Sequence, residues 1–190
     1  MGVVSFLLGG ARSGKSRMAL ELARKNYPPS KIAFVATCNP GDPEMQKRVK
    51  KHQKERPKSW SLYEAFGDPL EVLEKIQKLP LKKRPQVIIL DCLSLYVSNR
   101  MFAPLSEKQI LAEWKRLLTF AKKKLSADLI LVSNEVGLSI VPENRLARDY
   151  RDTLGRVNQL TATRADHAFF MVAGLAIPLT FNFPIGGKAQ

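Results

Sequence analysis

A glycine-rich segment near the start of the chain has the residue types and spacing needed to bind phosphate groups. Its sequence, Gly9-Gly10-Ala11-Arg12-Ser13-Gly14-Lys15-Ser16, matches the pattern G-x-x-x-x-G-K-[ST] in full. In such a loop the glycines let backbone N–H groups curl around phosphate oxygens. Lys15 neutralises the β- and γ-phosphates, and the Ser16 hydroxyl can ligate Mg²⁺. We therefore predict that this whole loop binds a nucleoside triphosphate, ATP or GTP.

Acidic residues follow two other apolar runs. Val87-Ile88-Ile89-Leu90 ends at Asp91, where phosphate-loop enzymes place an acid near Mg²⁺. We predict that Asp91 and Ser16 hold the metal ion, with helix capping as the alternative role for Asp91. Glu135 follows Leu131-Val132-Ser133-Asn134 in the same way. It could orient a nucleophile or have a purely structural role.

An alternation of strands and helices must position these residues. Apolar, β-rich runs predict strands at Val3–Leu8, Lys31–Thr37, Trp60–Tyr63, Val87–Leu90, Leu129–Ser133 and Ala168–Ala173. Helices are predicted over Lys15–Arg24, Glu44–Glu55 and Pro142–Arg164. A further helix begins at Asp68-Pro69, and another runs from the capping box of Ser106 and Gln109 to Lys124. This order indicates an α/β fold with a mainly parallel sheet flanked by helices.

Ligands bind such sheets at the carboxyl ends of the strands. The loops that leave those ends carry polar residues, and we expect them to converge on one site: Gly9–Ser16, Thr37–Pro43, Asp91–Ser94 and Asn134–Gly137.

Length and composition favour one globular domain over residues 1–190, with 182–190 as a flexible tail. The chain has 190 residues, of which 45% are hydrophobic and 25% charged. We expect no membrane span, because the longest apolar run is too short to cross a bilayer. Cys38 and Cys92 form neither a disulfide framework nor a metal-ligand spacing. A reducing cytoplasm is the simplest location.

The net charge of +14 allows two interpretations. The basic residues could form a nucleic-acid surface, or they could be solvated helix faces with a few groups around an anionic substrate. They are spread along the chain and do not alternate with aromatic residues as in single-strand binders. We therefore do not expect nucleic-acid binding as the main function.

Several stretches beyond the phosphate loop resemble those of a known enzyme family, the bifunctional adenosylcobinamide kinase/adenosylcobinamide-phosphate guanylyltransferases. The resemblance runs from about residue 3 to residue 175. Its most specific parts are Asn134-Glu135-Val136-Gly137, Val141-Pro142-Glu143-Asn144-Arg145-Leu146-Ala147-Arg148 and Gly155-Arg156-Val157-Asn158-Gln159. The family also has an Ala-Thr-x stretch, which Ala36-Thr37-Cys38 matches. It further has a helix with the pattern E-M-x-x-R that ends in R-P and precedes a Trp. Here the matching residues are Glu44-Met45, Arg48, Arg56-Pro57 and Trp60.

The resemblance implies a P-loop NTPase of RecA-like fold, assembled as a homotrimer, and two reactions. The first phosphorylates the aminopropanol hydroxyl of adenosylcobinamide with a nucleoside triphosphate. The second moves GMP from GTP onto that phosphate and gives adenosylcobinamide-GDP and pyrophosphate. The guanylyl group is thought to rest on a histidine of the helix after the second strand. By the same resemblance, Ala36, Thr37, Cys38 and Glu64 contact the nucleotide.

The chain contains two histidines, His52 and His167. His52 lies on the apolar face of the predicted helix Glu44–Glu55, so the residues alone favour a packed position at the edge of the core. The resemblance reverses this interpretation and makes His52 the nucleophile, a role that neutral imidazole suits. Some relatives carry two adjacent histidines where this chain has Lys51-His52, and Lys51 is therefore the alternative. His167, at the start of a strand, is expected to be structural.

Four arginines of the predicted helix Pro142–Arg164 could bind phosphates or form a salt-bridged surface: Arg145, Arg148, Arg151 and Arg156. Two other functions also remain open. One is a P-loop kinase without the guanylyl step, and the other is a RecA-like ATPase that depends on nucleic acid.

Overall fold

A β-sheet forms the centre of the fold. The computed structural model describes residues 2–38, 57, 59–103 and 105–179 of the chain. Within these residues the sheet has 7 strands in the order β3-β2-β4-β5-β1-β6-β7. Their bounds are β1 (Val4–Gly9), β2 (Ile32–Ala36), β3 (Ser61–Glu64), β4 (Val87–Asp91), β5 (Asp128–Asn134), β6 (His167–Val172) and β7 (Leu175–Pro178). Strands β1 to β6 pair in parallel, and β7 runs antiparallel to β6. The predicted mainly parallel α/β fold is confirmed.

In the described part of the chain, three of the five helices, α2, α4 and α5, begin at a residue whose side chain caps a backbone N–H group. Their bounds are α1 (Lys15–Asn26), α2 (Pro69–Gln77), α3 (Leu93–Phe102), α4 (Glu107–Lys123) and α5 (Arg145–Ala162). Asp68 accepts a 2.9 Å hydrogen bond from Leu70 N, and Ser106 and Gln109 form the predicted capping box. In the described part of the chain, no helix is both long and apolar enough to cross a membrane.

Both faces of the sheet are covered, which explains the continuous apolar runs of its strands. Side chains alternate between the faces along each strand. Leu7, Phe34 and Ile89 pack with the buried face of α1. On the other face, Phe6 and Leu90 pack with residues of α2, α3, α4 and α5. The sheet thus holds the carboxyl ends of β1, β2, β4 and β5 side by side.

The structure differs from the sequence-based expectations in several elements. Helix α3 was not predicted, because its short run is rich in serine and asparagine, which are weak helix formers. Strand β7 was not among the predicted strands. Helix α5 begins at Arg145 rather than Pro142, since Asn144 caps it. The predicted helix Glu44–Glu55 and the tail 182–190 lie outside the described residues.

Two adjacent glycines at the end of β1 provide a matched test of this packing. A Cβ atom on Gly9 would lie 2.3 Å from the carbonyl oxygen of Met171 in β6. We expect Gly9→Ala to lower the free energy of unfolding by about 1–3 kcal/mol, because the strands must separate. Among the described residues, nothing lies within 4 Å of the corresponding position at Gly10. Gly10→Ala should therefore change stability much less in urea unfolding of the nucleotide-free protein. Equal losses from both substitutions would contradict this account.

Candidate functional site

The phosphate loop connects β1 to α1, and Lys15 is the first residue of that helix. Gly14 precedes the helix with φ 97°, and Arg12 also lies in the left-handed region with φ 57°. The Lys15 ammonium donates a 2.6 Å hydrogen bond to Gly10 O and lies 3.4 Å from Ser13 Oγ. The lysine thus folds back inside its own loop. The N–H groups at the start of α1 face the same place, which is the usual arrangement for binding an anion.

The environment of Lys15 is unfavourable for an isolated positive charge. Its side chain is buried, with 7% of the residue exposed. Burial lowers the pKa of the Lys15 ammonium, and the nearby Asp91 carboxylate partly opposes this effect. A bound polyphosphate would add negative charge beside the ammonium and favour its protonated form. The site is therefore complementary to an anion.

The turn between β6 and β7 supports the phosphate loop from outside. Gly174 N donates a 3.0 Å hydrogen bond to Ser13 O. A Cβ atom on Gly14 would lie only 3.1 Å from the Cα atom of Gly174. Sequence reasoning missed this contact, although Gly174 between two apolar runs is a recognisable turn signal. The backbone of the loop is therefore fixed by tertiary contacts as well as by its own sequence.

Asp91 ends β4 beside the phosphate loop. It is half-buried, and in register it lies between Ala36 of β2 and Val132 of β5. Helix α3 has Cys92 as its N-cap, without a side-chain cap bond, so the alternative role of Asp91 as a helix cap is wrong. Its carboxylate acts on the Lys15 ammonium. Asp91 is thus close enough to Lys15 to influence its charge.

Thr37 fixes the backbone that follows Asp91. Its hydroxyl accepts a 2.8 Å hydrogen bond from Cys92 N and donates one of 2.7 Å to Cys92 O. Asn99 of α3 donates a 2.8 Å bond to Thr37 O. Thr37 has no exposed surface, with 0% accessible. It therefore joins the end of β2 to the turn behind Asp91, and its hydroxyl is already engaged within the protein.

Cys92 and Ser94 are buried in the turn that follows Asp91. Burial, followed by the charge of Asp91, raises the pKa of the Cys92 thiol to about 12, so the thiol stays protonated at neutral pH. Its sulfur lies 2.8 Å from Ser94 Oγ, which accepts a further 2.8 Å bond from Asn134 Nδ2. A protonated, buried thiol is a poor nucleophile. Cys92 therefore has a packing role in this turn.

The loops at four strand ends do converge, as expected from the sequence. Glu135 N donates a 2.9 Å bond to Gly9 O, which ties the loop after β5 to the phosphate loop. Asn134 reaches Ser94 after β4, and Thr37 reaches Cys92. Of the segment Thr37–Pro43, only Thr37 and Cys38 belong to the described residues. The site is one continuous polar edge above the sheet.

The remaining nucleotide-contact candidates lie further along this edge. Ala36 ends β2, and the half-buried Cys38 follows it. Glu64 ends β3 in register with Ala36, and its side chain is exposed. Two strand spacings, roughly 10 Å between Cα atoms, therefore separate Glu64 from Asp91. Glu64 therefore lies further along the edge from the phosphate loop than Asp91 does.

The donor set at the loop fits a magnesium ion. The Ser16 hydroxyl and the Asp91 carboxylate supply hard oxygen atoms, the ligand type that Mg²⁺ prefers. The part of the chain that is described contains no group of three or more His, Cys, Asp or Glu residues able to enclose a metal. Mg²⁺ is typically held by one or two protein oxygens together with substrate phosphates and water. The residues present match that pattern.

Other candidates lie apart from this edge or outside the described residues. Each arginine of α5 has a protein partner: Arg145 pairs with Asp149, Arg151 pairs with Asp152, Arg156 pairs with Glu107 of α4, and Arg148 donates a hydrogen bond to Pro142 O. This agrees with the salt-bridged surface, the second of the two roles considered. His167 is exposed at the opposite end of the sheet, paired in register with Ser5. His52 and Lys51 lie outside the described residues.

Comparison with known proteins identifies the family. The family model described as "Cobinamide kinase / cobinamide phosphate guanyltransferase" matches residues 5–179. The chain belongs to this family. It is 36% identical over 173 residues to the bifunctional adenosylcobalamin biosynthesis protein CobP of Pseudomonas aeruginosa, covering 91% of this chain and 95% of that protein. It is also 36% identical over 183 residues to CobU of Salmonella typhimurium, covering 90% of this chain and 96% of that protein.

The solved structures agree on the fold. The KaiC-like protein PH0186 of Pyrococcus horikoshii matches with a TM-score of 0.50 and 12% sequence identity, over 89% of this chain and 70% of that chain. At that identity the likeness concerns the fold alone. The sheet order and the phosphate loop agree with this likeness, so this cobinamide kinase/guanyltransferase family member has the predicted P-loop NTPase fold of RecA-like architecture.

The double hydrogen bond of Thr37 leads to a prediction for this family member. Thr37→Val removes both bonds and leaves Cys92 N–H buried without its acceptor, so we expect the free energy of unfolding to fall by about 1–3 kcal/mol. Magnesium-dependent GTP binding should weaken as well, because the turn behind Asp91 is no longer fixed. Thr37→Ser keeps the hydroxyl and should retain most of both properties. Urea unfolding and calorimetric GTP titration with and without Mg²⁺ measure them, and a Thr37→Val protein that matches Thr37→Ser would contradict the prediction.

Proposed function

We propose that this chain phosphorylates adenosylcobinamide with ATP or GTP and then transfers GMP from GTP to the adenosylcobinamide phosphate. The observation that carries this proposal is the family match over residues 5–179, within which the phosphate loop is intact. Relatives aligned over at least 95% of their own length are named bifunctional adenosylcobalamin biosynthesis proteins. The nucleoside triphosphates and the corrinoid acceptor follow from that match.

In the proposed kinase step the phosphate loop binds and orients the triphosphate. The backbone N–H groups of Gly9–Ser16 surround the phosphates, and Lys15 neutralises charge on the β- and γ-phosphates. The acceptor oxygen forms a bond to the γ-phosphorus while the bond from that phosphorus to its bridging oxygen breaks. Ser16 and Asp91 would hold Mg²⁺, which when bound offsets negative charge on the phosphates. The buried position of Lys15 supports this role, since charge interactions are stronger away from water.

In the proposed guanylyl step His52 is the nucleophile. Its neutral imidazole attacks the α-phosphorus of GTP, pyrophosphate leaves, and a covalent guanylyl-histidine forms. An oxygen of the cobinamide phosphate then attacks the same phosphorus and displaces the histidine. Ala36, Cys38 and Glu64 would bind the nucleotide along the edge formed by β2 and β3.

Covalent labelling tests the second step directly. We expect the protein incubated with Mg²⁺ and GTP labelled at the α-phosphate to retain label after denaturation, because the phosphoramidate bond survives unfolding. His52→Ala should remove the label, and Lys51→Ala should not. Lys15→Ala should also prevent labelling while remaining folded, since the triphosphate loses its main cation.

The variants separate the alternatives. Label lost only in Lys51→Ala would keep the function and move the nucleophile to Lys51. A protein that binds GTP but never retains label would refute the covalent step and leave a kinase without guanylyl transfer.

We also propose a homotrimer located in the cytoplasm. The exposed apolar side chains of the edge strand β7 support self-association, with Leu175 69% and Ile177 49% accessible in the single chain. Light scattering coupled to size-exclusion chromatography should give a mass three times that of the 21.3 kDa chain. A mass equal to one chain at micromolar concentration would contradict the trimer.

A further inference from the structure

A cleft lies beside the phosphate loop. Its volume is about 510 Å³. Three segments line it: residues 10–13 of the phosphate loop, part of the loop after β5, and the end of β6 with its turn, residues 170–173. The cleft shares the loop residues that surround the phosphates. A molecule bound there would lie next to the transferable phosphate.

Glu135 is the one carboxylate among the described residues that line this cleft. Its backbone N–H is bonded to Gly9 O at 2.9 Å, so the residue is fixed to the base of the phosphate loop. One carboxylate oxygen, Oε1, accepts a hydrogen bond from Gly137 N. Within the described part of the chain, no protein group donates a hydrogen bond to the other oxygen. The side chain is half-buried and held by its own loop, with an oxygen available to a ligand.

The two acids of the site lie in different surroundings. Asp91 ends β4, and its charge acts on Lys15 of the phosphate loop. Glu135 follows β5 and lines the cleft together with Ala11 and Arg12. A phosphoryl transfer needs a nucleotide on one side of the γ-phosphorus and an acceptor in line on the other. This division matches that requirement.

The rim of the cleft indicates what kind of acceptor fits. Leu138 lines it and is 81% exposed, and the same loop continues with Ile140 and Val141, which are 93% and 61% exposed. A contiguous exposed apolar loop beside a polar cleft suits a ligand with a large apolar body. The carboxylate inside suits a hydroxyl donor. Together they suit an alcohol carried on a bulky, partly apolar framework.

We propose that Glu135 binds the hydroxyl of the acceptor alcohol and takes its proton during the kinase step, and that it has no chemical role in the guanylyl step. This inference rests on the proposed function. The hydroxyl proton moves to the Glu135 carboxylate, the acceptor oxygen bonds to the γ-phosphorus, and the nucleoside diphosphate leaves with the bridging oxygen. Glu135 later releases the proton to water.

The guanylyl step does not need this base because its acceptor carries no proton to remove. A phosphate monoester has a second pKa of about 6 and is mostly a dianion at neutral pH. Its oxygens are already nucleophilic. The chain would then use a protein base for one of its two acceptors and none for the other.

The test is to assay the two reactions separately in Glu135→Gln. Glutamine keeps a carbonyl oxygen that can accept the bond from Gly137 N, but it cannot take a proton. We expect the kcat for phosphorylation of cobinamide to fall on the order of 100-fold or more. Guanylyl transfer from GTP to cobinamide phosphate supplied directly should stay within about threefold of wild type. Glu74→Gln, on the exposed side of α2, is the matched control and should leave both reactions unchanged.

Each result of this comparison decides the proposal. Kinase loss with guanylyl transfer retained, and with an unchanged melting temperature, supports it. A Glu135→Gln protein that phosphorylates cobinamide at the wild-type rate would overturn it, and so would an equal loss of both reactions, which indicates a structural role. If the wild-type protein phosphorylates no cobinamide at all, the proposed function fails and this inference fails with it.

Discussion

The burial of one ammonium group constrains the whole site. Lys15 begins α1 inside a loop of backbone groups, and burial disfavours its charged form. Gly10 O compensates it within the protein, but a polyphosphate compensates it better, since it supplies full negative charge. The lysine can sit there only because the loop turns tightly through Arg12 and Gly14 with positive φ. The β6–β7 turn then holds that loop in place.

At the carboxyl edge of the sheet, polar groups lie next to an apolar core, and hydrogen bonds keep them ordered. Buried donors and acceptors are costly unless they are paired. Thr37 satisfies both backbone groups of Cys92, and Ser133 Oγ donates a 2.6 Å bond to Asn158 Oδ1. Asn158 in turn donates to Asn134 O at 3.1 Å. These bonds leave few alternative conformations for the loops, so Asp91 and Glu135 are held in position before any ligand arrives.

Local signals made much of this structure predictable. Short runs of sequence are enough to predict the phosphate loop, the helix caps at Asp68 and Ser106, and the buried strands. Each of these features lies at or within a few residues of its predicted position. The contacts that fix the site are different in kind. Thr37 and Cys92 are 55 residues apart, and Ser13 meets Gly174 across the whole fold. No periodicity or motif records such pairs, because they exist only once the strand order β2-β4-β5-β1-β6 is known.

The strand order is compatible with the proposal that one phosphate loop serves both the phosphoryl transfer and the guanylyl transfer. The kinase reaction attacks the γ-phosphorus and the guanylyl reaction attacks the α-phosphorus, so the two nucleophiles must approach different points of the same triphosphate. Strand β1 lies inside the sheet, with β5 and β4 on one side and β6 on the other. The chain segment that contains His52 follows β2 in the sequence, whereas Glu135 follows β5, the neighbour of β1, and lines the cleft that reaches β6. In the proposed mechanism the guanylyl nucleophile and the kinase base therefore come from chain segments that follow different strands, and both act on a triphosphate held by the same loop.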